Sequence, residues 1–162
     1  MSQKGILPRI VRSWWQPGSV LREMRGTPDR VLIVILMVAM LIFLVAQAPG
    51  HARAAELDPS IPLDARIGGA VLAVMFIMPV IAFALAALVA ALSKLTPRPV
   101  SPEDSRLALF WALLAVSPAM LLAGMTGGFL GQGLPLTITQ SIAGLGFLFI
   151  WGAGLRAVAG HK

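Results

Sequence analysis

The chain has 162 residues, 57% of them hydrophobic and 12% charged, with a formal net charge of +6. Soluble domains carry about a quarter charged residues, so this chain lacks the charge to coat a water-facing surface of its size. It has no Cys, which excludes disulfides, thiolate metal sites and Cys nucleophiles. The length suits one domain. The basic residues gather in the first 30 positions, a pattern that suits a membrane surface better than nucleic acid.

Residues 1–30 form a basic arm with six Lys/Arg and two acids. Ile10, Val11, Trp14 and Trp15 can share one helical face, with Arg9 and Arg12 beside it. Ser19 can cap a second short helix carrying Val20, Leu21 and Met24. Trp beside Arg is the chemistry of the membrane–water interface. The arm is therefore expected to lie on the cytoplasmic face, with Trp14, Trp15, Arg9, Arg12, Arg22 and Arg25 at the headgroups. Docking to another protein is the rival role.

Residues 31–155 form the membrane domain. Val31 to Ala48 is 18 residues without a charge, roughly 27 Å of helix at about 1.5 Å per residue. The hydrocarbon layer is about 30 Å thick. A basic start, this apolar run and "AQAPGHARA" resemble a secretory signal with a cleavage site. The polar lead of 30 residues with two Trp argues against cleavage.

The loop after the first span mixes Glu56, Asp58 and Asp64 with His51, Arg53 and Arg66. Its spacing matches no metal-ligand pattern, and no metal or cofactor is expected. The second span, 67–92, is longer than needed and is expected to tilt or bend at Pro79. Residues 107–155 hold no ionisable side chain, too long a run for one span. Glycines and a proline crowd its middle, "GMTGGFLGQGLP", and predict a break. The third helix is expected at 107–123 and the fourth at 136–155, followed by a short cytoplasmic tail at 156–162.

The spans share one style of entry. "GTPDR" and "VSPEDSR" each place a hydroxyl residue, a proline and one or two acids before an apolar run. Thr27 and Ser101 fit the N-cap, Pro28 and Pro102 the first helical position, and the acids the first turn. "SIPLDAR" is a looser copy with Ser60, Pro62, Asp64 and Arg66. With both ends on one side, that side carries eleven Lys/Arg and the other two. The positive-inside rule then gives N-in, C-in.

Pumps and transporters keep ionisable groups inside the bilayer, and these spans have none. Ser117, Thr126, Thr137, Thr139, Gln140 and Ser141 are the polar candidates, expected as hydrogen-bonding glue between helices. Ser117 has no His or Lys partner at membrane depth, so no nucleophile is expected. His51 and His161 fall near opposite faces and cannot share a haem. Pro79 and Pro118 lie near span centres and are expected to kink their helices, with a transport hinge as the alternative. Ala82, Ala86 and Ala90 repeat every four residues, and Gly124/Gly128 and Gly127/Gly131 are G-x-x-x-G pairs. Such faces serve a bundle or an oligomer equally.

"WWQPGSVLREMRGTPDRVL", "LDPSIPLDARIGGAVLAV" and "SRLALFWALLAVSPAMLLAG" together resemble small bacterial members of the Yip family. These are Ypt/Rab-interacting-protein-like integral membrane proteins, here of the alphaproteobacterial type, and the resemblance runs nearly end to end. It implies a multispan α-helical domain with a cytoplasmic N-terminal part and, for the bacterial branch, no catalytic residues. The acidic-aromatic glycine-proline motif of eukaryotic members is absent, so GTPase binding is not carried over. Many members have five spans where this chain has four.

The expected architecture is thus all-α, with four transmembrane helices and an amphipathic interfacial arm. The expected role is a non-enzymatic inner-membrane protein that scaffolds or organises membrane partners. Its expected partners are the lipid bilayer and a membrane protein or further copies of itself, not nucleic acid. The alternatives are a small accessory subunit of a larger bioenergetic or photosynthetic complex, and a small transporter or channel.

Overall fold

The computed structural model describes residues 5–160, and among them there is no strand. His161 and Lys162, the end of the expected tail, lie outside the described residues. Two short helices come first, α1 (Ile6–Ser13) and α2 (Pro17–Met24). Then follow α3 (Asp29–Leu57) and α4 (Leu63–Leu72), with a π-helical turn (Ala73–Ile77) leading into α5 (Met78–Ser93). The chain closes with α6 (Pro102–Phe129) and α7 (Leu134–Val158).

Four units are long and apolar enough to cross a membrane: α3, the continuous α4–α5 rod, α6 and α7. At 25 to 31 residues each is longer than the roughly 20 that a bilayer core requires. Their ends therefore reach past the hydrocarbon or the helices tilt. The centre of the bundle is α6, with 61% of its most apolar window buried, against 17% for the α4–α5 rod. On one side of α6 lies α3, on another α7, and α5 packs along it too. Phe83 of α5 meets Phe110 of α6 edge to face at 4.9 Å.

The helices outrun the expected boundaries. Instead of ending at Ala48, α3 continues through Pro49 to Leu57. Pro49 removes one backbone bond, but its ring lies against Gly128 of α6, where an added Cβ would come within 2.3 Å of it. The expected break at Gly124 is likewise absent, and α6 stays helical to Phe129. Gly124 faces the Ala46 carbonyl so closely that a Cβ would sit 1.8 Å from the oxygen. These glycines are the close-approach surface for α3 rather than a turn. The turn itself is Leu130 to Gly133, with Gly131 in the left-handed region at φ 76°.

The entry motifs are partly as expected. Ser101 accepts the Asp104 amide at 3.0 Å, with Pro102 opening α6 and Glu103 and Asp104 in its first turn. At α3 the cap is Pro28, while the Thr27 hydroxyl turns back to the Met24 carbonyl. At α4 the cap is Pro62, and Ser60 binds the Asp58 carboxylate instead. In both, a proline holding extended φ/ψ directly before the helix displaces the hydroxyl from the cap.

Pro79 does not break its helix. The π turn just before it takes up the misfit, with the Met78 amide bonding the Ala73 carbonyl five residues back. Pro118 lies inside α6, which is continuous through it.

Arg98 and Pro99 lie beside Gly160, whose amide donates to the Pro99 carbonyl at 3.1 Å. The arm, the α5–α6 loop and the C-terminal end of α7 thus share one end of the bundle, the arm end. The α3–α4 and α6–α7 turns form the far end.

Candidate functional site

Three places concentrate the sequence-predicted residues: the arm, the small-residue faces, and a cleft between α3 and α7.

The arm is docked into the groove between α6 and α7. Trp111 of α6 donates its indole N–H to the Ser13 hydroxyl at 2.8 Å, and Ser13 donates to the Arg9 carbonyl at 2.8 Å. Trp14 donates its own N–H to the Ala115 carbonyl at 3.1 Å. Gly146 makes room for the Trp14 ring, and Gly154 for Leu21. Val20 and Leu21 are fully buried. Two ion pairs fix the register. Arg25 holds Asp104 at 2.8 and 3.2 Å, and Arg12 pairs with Glu23 between the two arm helices.

The arm therefore has two apolar faces where the sequence suggested one. Ile10 and Trp14 turn inward, while Leu7 and Val11 of α1 and Trp15 just beyond it stay exposed. Of the adjacent indoles, only Trp15 is exposed like a headgroup residue, at 74%. Arg9, Arg12 and Arg25 are partly covered and Arg22 is exposed. Exposed Arg30, Lys94, Arg98 and Arg156 continue a basic rim around the arm end. Arg106 leaves that rim to pair with Asp29 at 2.9 and 3.0 Å, so the second entry motif is bridged to the first.

The small-residue faces work within the chain. Ala82, Ala86 and Ala90 are buried, and the Ser105 hydroxyl of α6 donates to the Ala86 carbonyl at 2.7 Å. Gly124 and Gly128 receive α3, and Gly127 approaches Leu136 of α7. The guanidinium of Arg53 lies over Gly131, where a Cβ would meet its Nη2 at 2.6 Å. Gly144 and Gly152 face open space. Three of the hydroxyls expected as glue are otherwise engaged: Thr126, Thr137 and Thr139 donate to the Leu122, Gly133 and Pro135 carbonyls, each four residues back. A hydroxyl within reach of a carbonyl one turn back takes that bond first.

The cleft was not foreseen from the sequence. Both α3 and α7 lie along α6 without extended contact with each other, leaving a cavity of about 620 Å³ between them. Phe43, Met120, Leu136 and Phe147 supply apolar wall, and Gln47, His51, Arg53, Gln132 and Gln140 supply polar groups. The His51 Nε2 is buried and has no hydrogen-bond partner among the described residues. Arg53 reaches the Gly128 and Phe129 carbonyls at 3.4 Å, the long limit of a hydrogen bond. The signal in the sequence was His51, Arg53 and Gln140, which a helix ending at Ala48 kept apart.

Below the cleft, the Asp58 carboxyl is held below the ordinary carboxylate range. The Ser60 hydroxyl bond is the main cause, then the Ser60 amide, with Arg66 adding its charge.

These features define a multi-pass α-helical membrane protein. No family model, curated protein or solved structure matches the chain.

Proposed function

We propose that the protein is a non-enzymatic, Yip-type organiser of membrane partners in a bacterial inner membrane, with both termini in the cytoplasm. The observation that carries this reading is the α4–α5 rod. It packs on α3 through α4 and the π turn and on α6 through its alanine stripe, and only 17% of its most apolar window is buried. Leu72, Phe76, Val80 and Leu88 stand exposed along it. A rod attached on one narrow face offers its remaining surface to lipid or to a partner helix. The spans bring no ionisable side chain to mid-membrane, which is in keeping with an organiser rather than a pump.

The test is a photo-crosslinking residue at Val80 or Leu88, with the particle mass measured in mild detergent. The reading expects a protein adduct, from a partner or a second copy, at both positions. Lipid adducts alone, from a particle of monomer mass, would overturn it. An adduct to a cofactor-bearing complex would make the chain that complex's accessory subunit.

A further inference from the structure

We infer that the α3–α7 cleft is a binding site for an anionic amphiphile, an acyl chain carrying a carboxylate or phosphate head, seated from the far-end leaflet.

Shape is the first argument. The lining runs from Phe43 to Leu57 on α3, about 21 Å at about 1.5 Å per residue. On α7 it runs from Phe147 to Leu136, about 16 Å by the same rise. A slot this long, parallel to the spans, suits an extended chain. Its volume, about 620 Å³, lies within the roughly 300–1,000 Å³ of small-molecule sites.

Polarity is the second. The deep end, at Phe43 and Phe147, is apolar, and the polar groups begin at Gln47 and Gln140 and culminate in His51, Arg53 and Gln132 near the far-end turns. A lipid in that leaflet has the same gradient, tail toward the midplane and head at the surface.

Charge is the third. Arg53 is half-buried and pairs with no carboxylate among the described residues, while Asp58, just past the end of α3, is taken by Arg66. An Arg spending one nitrogen on two long carbonyl contacts has donors left for an anion. His51 and the glutamine amides complete a donor-rich end beside it.

Glycine keeps the slot open. Gly144 lines it, and a Cβ there meets nothing within 4 Å. Gly144→Phe therefore sets a ring at the cleft wall with no clash at its Cβ. The experiment is native mass spectrometry of the full chain, delipidated in detergent and titrated with palmitate, phosphatidylglycerol and phosphatidylcholine. One anionic amphiphile should bind per chain, at least tenfold more tightly than phosphatidylcholine. Gly144→Phe should lose that binding at least tenfold with its helix content unchanged. Arg53→Gln should remove the preference for anionic over zwitterionic lipid. Binding of palmitate alone assigns a free carboxylate ligand, of phosphatidylglycerol alone a phospholipid, and of both the shared anionic head. Unaltered binding in Gly144→Phe, equal binding of phosphatidylcholine, or no binding overturns the site.

Discussion

Trp111 and Ser13 lie 98 positions apart and share a hydrogen bond, the buried indole N–H donating to the serine hydroxyl at 2.8 Å. This bond joins the arm to the most buried helix of the bundle. Ser13→Ala leaves the indole N–H buried without its partner, at a cost of about 1–3 kcal/mol. The arm is then expected to undock while the spans stay folded. Trypsin should cut at Arg12, Arg22 and Arg25 several-fold faster in the variant, with the thermal midpoint in detergent lowered. Equal cutting rates in variant and parent would show that the arm is held by its other contacts. In a Trp111→Phe background, Ser13→Ala should cost much less, because the orphaned donor is already gone.

Glycines should sort into three classes. At Gly124 a Cβ meets the Ala46 backbone, which cannot swing aside. Gly124→Ala should force α3 off α6 and destabilise by about 1–3 kcal/mol. At Gly146 and Gly154 the obstacle is a side chain of the arm, Trp14 or Leu21. Leucine there should expel the arm and reproduce the Ser13→Ala proteolysis pattern while leaving the spans intact. At Gly152 nothing opposes a Cβ, and alanine should be neutral or stabilising by about 0.5–1 kcal/mol. Thermal melts of the four variants in one detergent check the order, and a Gly152→Ala loss as large as that of Gly124→Ala would refute it.

The number and position of the spans were legible because a charge-free run of helical length has one physical outcome in a bilayer. Their ends were not. Gly124 and Gly128 fall in the stretch that predicts a break and also form a G-x-x-x-G pair, and in three dimensions they act as the pair, set against Ala46 and Pro49 of α3. Local propensity cannot distinguish a glycine that bends the chain from one that admits a neighbour. The same limit hid the docked arm. Trp14 and Trp15 look alike in sequence, and only the hole at Gly146 sends one inward. The cleft was illegible for a further reason. It is bounded by two helices that do not pack on each other, and an absence of packing leaves no mark on periodicity.

The Asp58 carboxyl gives a titration with a defined sign. Its folded-state pKa lies below its unfolded value, chiefly through the Ser60 hydroxyl. The loop thus gains stability that is present above the unfolded pKa, about 3.9 for Asp, and lost as pH falls through the lower folded value. A carbon-detected NMR titration of the Asp58 carboxyl should show its midpoint below that of a free aspartate. Ser60→Ala should move the midpoint up by more than Arg66→Ala does. The reverse order would make the guanidinium, not the hydroxyl, the main partner.

Topology follows from charge and fold together. Arg25 pairs with Asp104 and the Gly160 amide bonds Pro99, so the arm, the middle loop and the end of α7 must share one side of the membrane. That side carries the exposed Arg22, Arg30, Lys94, Arg98 and Arg156, whereas the far end has only Arg53 and Arg66 against Glu56, Asp58 and Asp64. The K/R bias sets orientation, so the arm end should face the cytoplasm. The chain has no Cys, which lets single cysteines report without background. Ser60→Cys should react with an impermeant maleimide in intact spheroplasts. Lys94→Cys should react only after lysis. Labelling in the opposite order would place the basic rim outside, where the charge bias has no explanation. Labelling of both from outside would break the four-span bundle itself.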